Sequence, residues 1–237
     1  MFDFTGQTVL VTGAAGALGS AVARAFHGAG ARLGLTDRNI EHMREALGDI
    51  ASDSRCYLHP ADLTDGEAVS AMVDGVHARW GRLDVLANIA GGFMMGPPVH
   101  ETPDQTWDLM INVNARTAFL TSRATVPHML RQGGGKIVNV SARAALAGKA
   151  RMAPYVISKC AVIRLTETMA AELRDSGINV NCILPGTIDT PQNRRDMPDS
   201  DHSRWVPPQA LADVILFLAS DLARAVQGAA VPVYGRS

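Results

Sequence analysis

The stretch Thr8-Val9-Leu10-Val11-Thr12-Gly13-Ala14-Ala15-Gly16-Ala17-Leu18-Gly19 decides how the rest of the chain is read. Five β-branched or leucine residues predict a short buried strand. A glycine-rich turn follows and leads directly into Gly19 to Gly28, which has helical spacing. Glycines at such a turn let the backbone bend tightly and approach a charged group, which the positive end of the helix attracts. Glycines alone also serve plain turns. The strand-turn-helix context turns the reading into a dinucleotide site built on Gly13, Ala15, Gly16, Ala17 and Leu18.

Working outward, the same alternation recurs. Buried strands are predicted at Thr8 to Thr12, Arg32 to Thr36, Arg55 to His59, Leu83 to Asn88, Lys136 to Ser141, Asn179 to Leu184 and Ala229 to Val233. Helices are predicted at Gly19 to Gly28, Ala68 to Trp80, Pro103 to Arg131, Pro154 to Asp175 and Pro208 to Ala219. Near-continuous apolar strands alternating with helices imply an α/β fold. A single Rossmann-type, doubly wound domain is expected over residues 1–237, its seven-stranded parallel sheet covered by helices on both faces. Ligands of such a sheet bind beyond the carboxyl ends of its strands. The irregular, proline-rich segment Pro185 to Pro208 follows the sixth strand and is expected to supply a substrate loop at 186–208. Its Arg194, Arg195 and Arg204 suggest a polar or anionic substrate.

Composition narrows the classes. With 22 Lys+Arg against 23 Asp+Glu the chain has no field for a polyanion, so nucleic acid is not an expected partner. No apolar run approaches the roughly 20 residues that span a bilayer, so no membrane is expected. Nothing in Met1 to Leu10 marks the chain for export. Cys56, Cys160 and Cys182 are odd in number and widely spaced, and form neither a disulfide framework nor a metal pattern. Reduced thiols, a cytoplasmic location and no metal are the expectations.

Asp37 ends the second predicted strand, 18 residues beyond Gly19. A carboxylate there accepts hydrogen bonds from both ribose hydroxyls of NAD and repels the 2'-phosphate of NADP, so NAD(H) is preferred. Arg38 keeps NADP(H) open, because a guanidinium beside the same ribose would hold that phosphate. A turn or cap acid is the plainer alternative for Asp37. In Tyr155-Val156-Ile157-Ser158-Lys159 the phenol and ammonium lie one helical turn apart. A phenol titrates near 10, and an adjacent ammonium together with an oxidised nicotinamide would favour its phenolate. In isolation the pair is as well explained by a surface contact.

With these features together, the chain resembles the short-chain dehydrogenase/reductase family over nearly its whole length. The resemblance implies that Tyr155 exchanges the substrate proton and that Lys159 lowers its pKa and binds the nicotinamide ribose. Asn114 is implied to hold a relay water. Asp62 and Leu63 match the adenine contact, and Asn88, Ala90 and Gly91 match a family Asn-Asn-Ala-Gly segment. Pro185, Gly186, Ile188 and Thr190 match the segment gripping the carboxamide and pyrophosphate. A dimer or tetramer is also implied, built on the helices Pro103 to Arg131 and Pro154 to Asp175. Leu109, Val113, Phe119, Leu120, Ile163, Met169 and Leu173 either serve that interface or face the sheet.

Two departures stand out. Ala17 replaces the usual second glycine of the turn. Ala142, thirteen residues before Tyr155, replaces the serine that polarises a substrate carbonyl, and Ser141 is one residue off. Because side chains alternate along a strand, Ser141 reaches the site only through a local bulge. The dihydropteridine reductase branch also lacks this serine. The chain is similar to it at Gly16 to Ser20, at Ala90-Gly91-Gly92-Phe93, at Ala144 to Leu146, and across Asp189 to Trp205. The expectation is therefore an NAD(H)-dependent oxidoreductase acting on a small carbonyl/alcohol or a dihydropterin-like heterocycle. The alternatives are a 3-oxoacyl or other ketone reductase using NADP(H), and a non-catalytic NAD-binding sensor or subunit.

Overall fold

In a computed structural model, described over residues 2–236, the strands β1 (Thr8–Thr12), β2 (Arg32–Thr36), β3 (Cys56–Leu58), β4 (Val85–Asn88), β5 (Gly135–Val140), β6 (Ile178–Pro185) and β7 (Ala230–Val233) join in one sheet. Its order is β3-β2-β1-β4-β5-β6-β7 and every pairing is parallel. Strand order reverses between β1 and β4, which opens a crevice at their carboxyl ends.

Eight α-helices link the strands: α1 (Ala17–Gly28), α2 (Ile40–Leu47), α3 (Gly66–Trp80), α4 (Asp104–Met110), α5 (Thr117–Gln132), α6 (Ala153–Leu173), α7 (Pro191–Asp196) and α8 (Pro208–Ala219). One core lies between the sheet and α1, α2 and α8, around Val9, Val11, Phe26, Leu33 and Ile215. The other lies between the sheet and α3, α5 and α6, around Leu10, Met72, Leu86 and Ile137. Strands buried on both faces read as continuous apolar runs, which is why the sequence located them.

Three expectations are corrected. Helix α2 was not foreseen, because it is short and buries only Met43 and Leu47; Asn39 caps it by accepting the N–H groups of Glu41 and His42. The helix expected over Pro103 to Arg131 is interrupted by a π-helical turn at Ile111–Arg116. There Asn114 Nδ2 donates to the Met110 carbonyl at 3.1 Å, and a side-chain donor entering the backbone ladder widens the turn. The Pro185 to Pro208 segment contains α7 and a bridge between Ile188 and Val206, so its ends are fastened together.

Leu120, Ile163, Met169 and Leu173 pack inward, whereas Leu109 and Phe119 are exposed. Among the described residues no helix is long and apolar enough to cross a membrane, and the cysteines are free.

Candidate active site

The turn after β1 has almost no spare volume. Gly13 has φ +67°, and a β-carbon on it would lie 2.9 Å from Ala90 Cα; one on Gly19 would lie 2.0 Å from the Gly13 carbonyl oxygen. These two glycines let α1 begin directly against the end of β1. Gly16 tolerates more, its added β-carbon meeting only the Gly13 oxygen at 3.3 Å, and Ala17 points its methyl outward at the first helical position. The missing second glycine is therefore sterically harmless. No side chain caps α1 and no acidic residue sits in its first turn, so its positive end is left for an anion. The turn thus fits a dinucleotide pyrophosphate.

Asp37 reaches back to this turn. Its Oδ2 accepts the Ala15 N–H at 3.2 Å and its Oδ1 the Arg38 N–H at 2.7 Å, which places the carboxylate at the mouth beside Ala15. Asp62 is exposed and its Oδ1 accepts both the N–H and the hydroxyl of Thr64, which lower its pKa. The Leu63 side chain packs in the core. Thr12, to which the sequence assigned no role, accepts the N–H groups of Ile89 and Ala90 at 3.0 and 3.1 Å and so ties the ends of β1 and β4 together.

Asn88 turns inward. Its Nδ2 donates to Ser122 Oγ and Asn139 Oδ1, and its Oδ1 accepts the Thr121 hydroxyl at 2.6 Å. With its hydrogen-bonding groups engaged and 4% exposure, this side chain fixes the end of β4 and thereby Ala90 and Gly91.

Tyr155 and Lys159 lie in the first two turns of α6, begun by Pro154. Lys159 is buried, and its Nζ donates to the Val140 carbonyl at 3.0 Å. No carboxylate among the described residues pairs with it, and burial pushes its pKa down to about 8. Burial likewise pushes the Tyr155 phenol up to about 12, so before any cofactor binds the phenol is protonated across the ordinary pH range. A β-carbon on Gly91 would lie 2.7 Å from Asn114 Oδ1 and 3.0 Å from Lys159 Nζ, so that glycine lets β4, the π-turn and α6 converge. Asn114 Nδ2 donates to Gly92 O and Ser158 Oγ, and its Oδ1 accepts the Gly92 N–H. Ser158 donates in turn to the Tyr155 carbonyl at 2.7 Å. The sequence missed Ser158, since only the tertiary approach of the π-turn to α6 gives it a partner.

Ser141 continues the β5 ladder, its N–H donating to the Ile183 carbonyl at 3.0 Å. Its hydroxyl donates to the Lys159 carbonyl at 2.7 Å and is buried. The local bulge that Ser141 would need to reach the site is not formed, and its proton is engaged by α6. Pro185 ends β6 and Gly186 donates to the Val233 carbonyl. Thr190 caps α7 by accepting the Asn193 N–H, and the Ile188 carbonyl accepts Asn193 Nδ2. Of the expected cationic cluster, Arg194 pairs with both oxygens of Asp189, whereas Arg195 donates to the Gln192 side chain and Arg204 to the Arg236 carbonyl, neither of which is charged.

Comparison with known proteins places this geometry. A family model described as short chain dehydrogenase matches residues 7–201. The D-threitol dehydrogenase of Mycolicibacterium smegmatis is 34% identical over 99% of this chain and 94% of its own length. The 3-oxoacyl-(acyl-carrier-protein) reductase of Thermotoga maritima is 32% identical over 97% of each. A short-chain type dehydrogenase/reductase from Mycobacterium ulcerans superposes with a TM-score of 0.93 at 27% identity, covering 99% of this chain and 90% of that one.

Proposed function

The chain belongs to the short-chain dehydrogenase/reductase family of oxidoreductases, and from that premise we propose that it transfers a hydride between NAD(H) and a small carbonyl/alcohol or conjugated heterocyclic substrate held over Tyr155. The observation that carries this reading is Lys159, a buried cation with only a backbone carbonyl for a partner. Such a group costs folding free energy, and a chain that only bound a nucleotide would gain nothing by keeping it beside a buried phenol.

Gly13, Ala15, Gly16, Ala17 and Leu18 would hold the pyrophosphate, Asp37 the adenosine ribose, and Asp62 and Leu63 the adenine edge. Ala90, Gly91, Pro185, Gly186, Ile188 and Thr190 would border the nicotinamide half. The cofactor supplies the hydride chemistry. The protein's share is the proton: Tyr155, neutral in its buried setting, donates from its hydroxyl to the reduced substrate. Lys159 supplies the positive charge that favours the resulting phenolate. Asn114 fixes the turn facing both groups through Gly92 and Ser158. Asp37 at the mouth supports NAD(H) over NADP(H), and the exposed Leu109 and Phe119 offer an apolar face for a dimer or tetramer.

Two substrate readings have separate support. Two of the relatives are named for D-threitol and for 3-oxoacyl-(acyl-carrier-protein), which favours a ketone/alcohol pair. The absence of a hydroxyl at Ala142, with Ser141 engaged elsewhere, favours an acceptor already activated by its own conjugation, such as a quinonoid dihydropterin. NADH oxidation assayed with that heterocycle beside a ketone panel separates them. Tyr155→Phe is expected to abolish turnover while NADH fluorescence titration is unchanged; full activity in this variant would remove the mechanism.

A further inference from the structure

Among the described residues Arg151 is the one residue other than glycine with positive φ, at 63°. It is the third residue of a turn closed by the Met152 N–H donating to the Lys149 carbonyl at 3.3 Å. Glycine or asparagine suits a left-handed turn position, because a β-carbon crowds the backbone there. A strained arginine persists only where its surroundings hold it, and here the holding group is Gly96. The Gly96 N–H donates to the Arg151 carbonyl at 2.9 Å, and Arg151 Nε donates to the Gly96 carbonyl at 3.1 Å.

At the other end of the same loop, the Asn114 side chain alone holds both polar groups of Gly92, its Oδ1 accepting the Gly92 N–H and its Nδ2 donating to the Gly92 carbonyl, both at 3.0 Å. Between the two clasps lie Phe93, Met94 and Met95, all large, apolar and exposed. The Phe93 ring stands edge-on to Tyr155, with centroids 4.9 Å apart and planes at 88°. Phe93 therefore lies against the phenol ring while the residue stays 56% exposed. An exposed ring flanked by two polarisable thioethers suits a flat apolar face.

We infer that Arg151 is a positioning residue that latches the Phe93–Met95 segment as a roof over Tyr155, and that Phe93 selects substrates with a flat, apolar group next to the reacting carbon. This rests on Tyr155 as the proton donor. A purely structural Arg151 would be improved on by glycine, which adopts the same φ without strain; a latch would not, because glycine lacks the donor for the Gly96 carbonyl.

The test compares wild type, Arg151→Ala, Arg151→Gly, Arg151→Lys and Phe93→Ala with NADH and two ketones, one aryl and one small aliphatic. In Phe93→Ala the aryl-to-aliphatic ratio of kcat/KM falls by roughly 10-fold or more. Arg151→Ala and Arg151→Gly lower the same ratio through KM, with NADH affinity unchanged, and Arg151→Lys recovers part of the loss. Arg151→Gly melts no lower than wild type, so its raised KM is not a folding defect. Amide exchange across residues 92–96 quickens in Arg151→Ala and Arg151→Gly. An unchanged ratio in either Phe93→Ala or Arg151→Ala overturns the inference, as does unchanged exchange. A wild type that turns over neither these ketones nor a quinonoid dihydropterin would instead overturn the oxidoreductase reading, and exchange alone then judges the latch.

Discussion

Replacing Lys159 with methionine should stabilise the free protein at neutral pH while destroying its activity. The ammonium is 5% exposed and has only the Val140 carbonyl as partner. Its pKa falls from the ordinary 10.5 to about 8 in the folded chain. That difference corresponds to about 3 kcal/mol of folding free energy given up at pH 7. The sign follows from proton binding: between pH 8 and 10.5 the unfolded chain holds more protons than the folded one, so wild-type stability rises with pH through that window. It is lowest, as far as this residue is concerned, below pH 8. Lys159→Met keeps most of the side-chain volume but leaves the Val140 carbonyl unpaired, which returns about 1 kcal/mol. The expected net gain is about 1–3 kcal/mol at pH 7, shrinking towards zero or below by pH 10.5. Urea melts of both proteins at pH 7, 8.5 and 10 measure it. Tyr155, whose raised pKa erodes stability only above about pH 10, is present in both. A variant no more stable than wild type at pH 7, or a difference that does not shrink as pH rises, would refute the claim that Lys159 is held at the expense of the fold.

Other expectations follow from the same geometry. Gly19→Ala forces α1 away from the Gly13 carbonyl, so it should cost about 1–3 kcal/mol and weaken NADH binding at least 10-fold, whereas Gly16→Ala, with its looser contact, does neither; fluorescence titration and thermal melts distinguish them. Ser141→Ala should cost about 1 kcal/mol and leave kcat within a few-fold, since its hydroxyl serves Lys159's carbonyl; a 100-fold loss of kcat would return Ser141 to the chemistry. Ala142→Ser should raise kcat/KM for ketones relative to conjugated heterocycles, and an equal effect on both contradicts the reasoning. Asp37→Ala should lower the ratio of NADH to NADPH affinity at least 10-fold; an unaltered ratio shows that Asp37 does not read the ribose.

Much of the fold was legible because parallel strands, most of them buried on both faces, read as apolar runs, and all seven expected strands match to within two residues at each end. The glycine turn was legible for a related reason: Gly19 meets Gly13 within a single strand-turn-helix unit, whereas the approach of Gly13 to Ala90 is tertiary. What stayed illegible shares a cause as well. The partners of the Asn88 side chain, Thr121, Ser122 and Asn139, are brought in from α5 and β5. Arg194 looked free to bind an anion until α7 formed and set it against Asp189. The long helix looked unbroken because nothing in its periodicity reveals that Asn114 takes the Met110 carbonyl.

The sequence by itself determined the alternating strands and helices, the phosphate-ready turn, and the pairing of Tyr155 with Lys159, because each depends on residues within a turn or two of one another. Only the tertiary structure decided where hydrogen-bonding capacity is spent. It assigned the Ser141 hydroxyl to Lys159, gave Ser158 to Asn114, left Lys159 without a counter-charge, and bent Arg151 to hold Gly96. Those assignments depend on which distant groups the sheet and helices bring within 3 Å, and a buried polar atom is committed by the neighbours it meets, whatever its place in a motif.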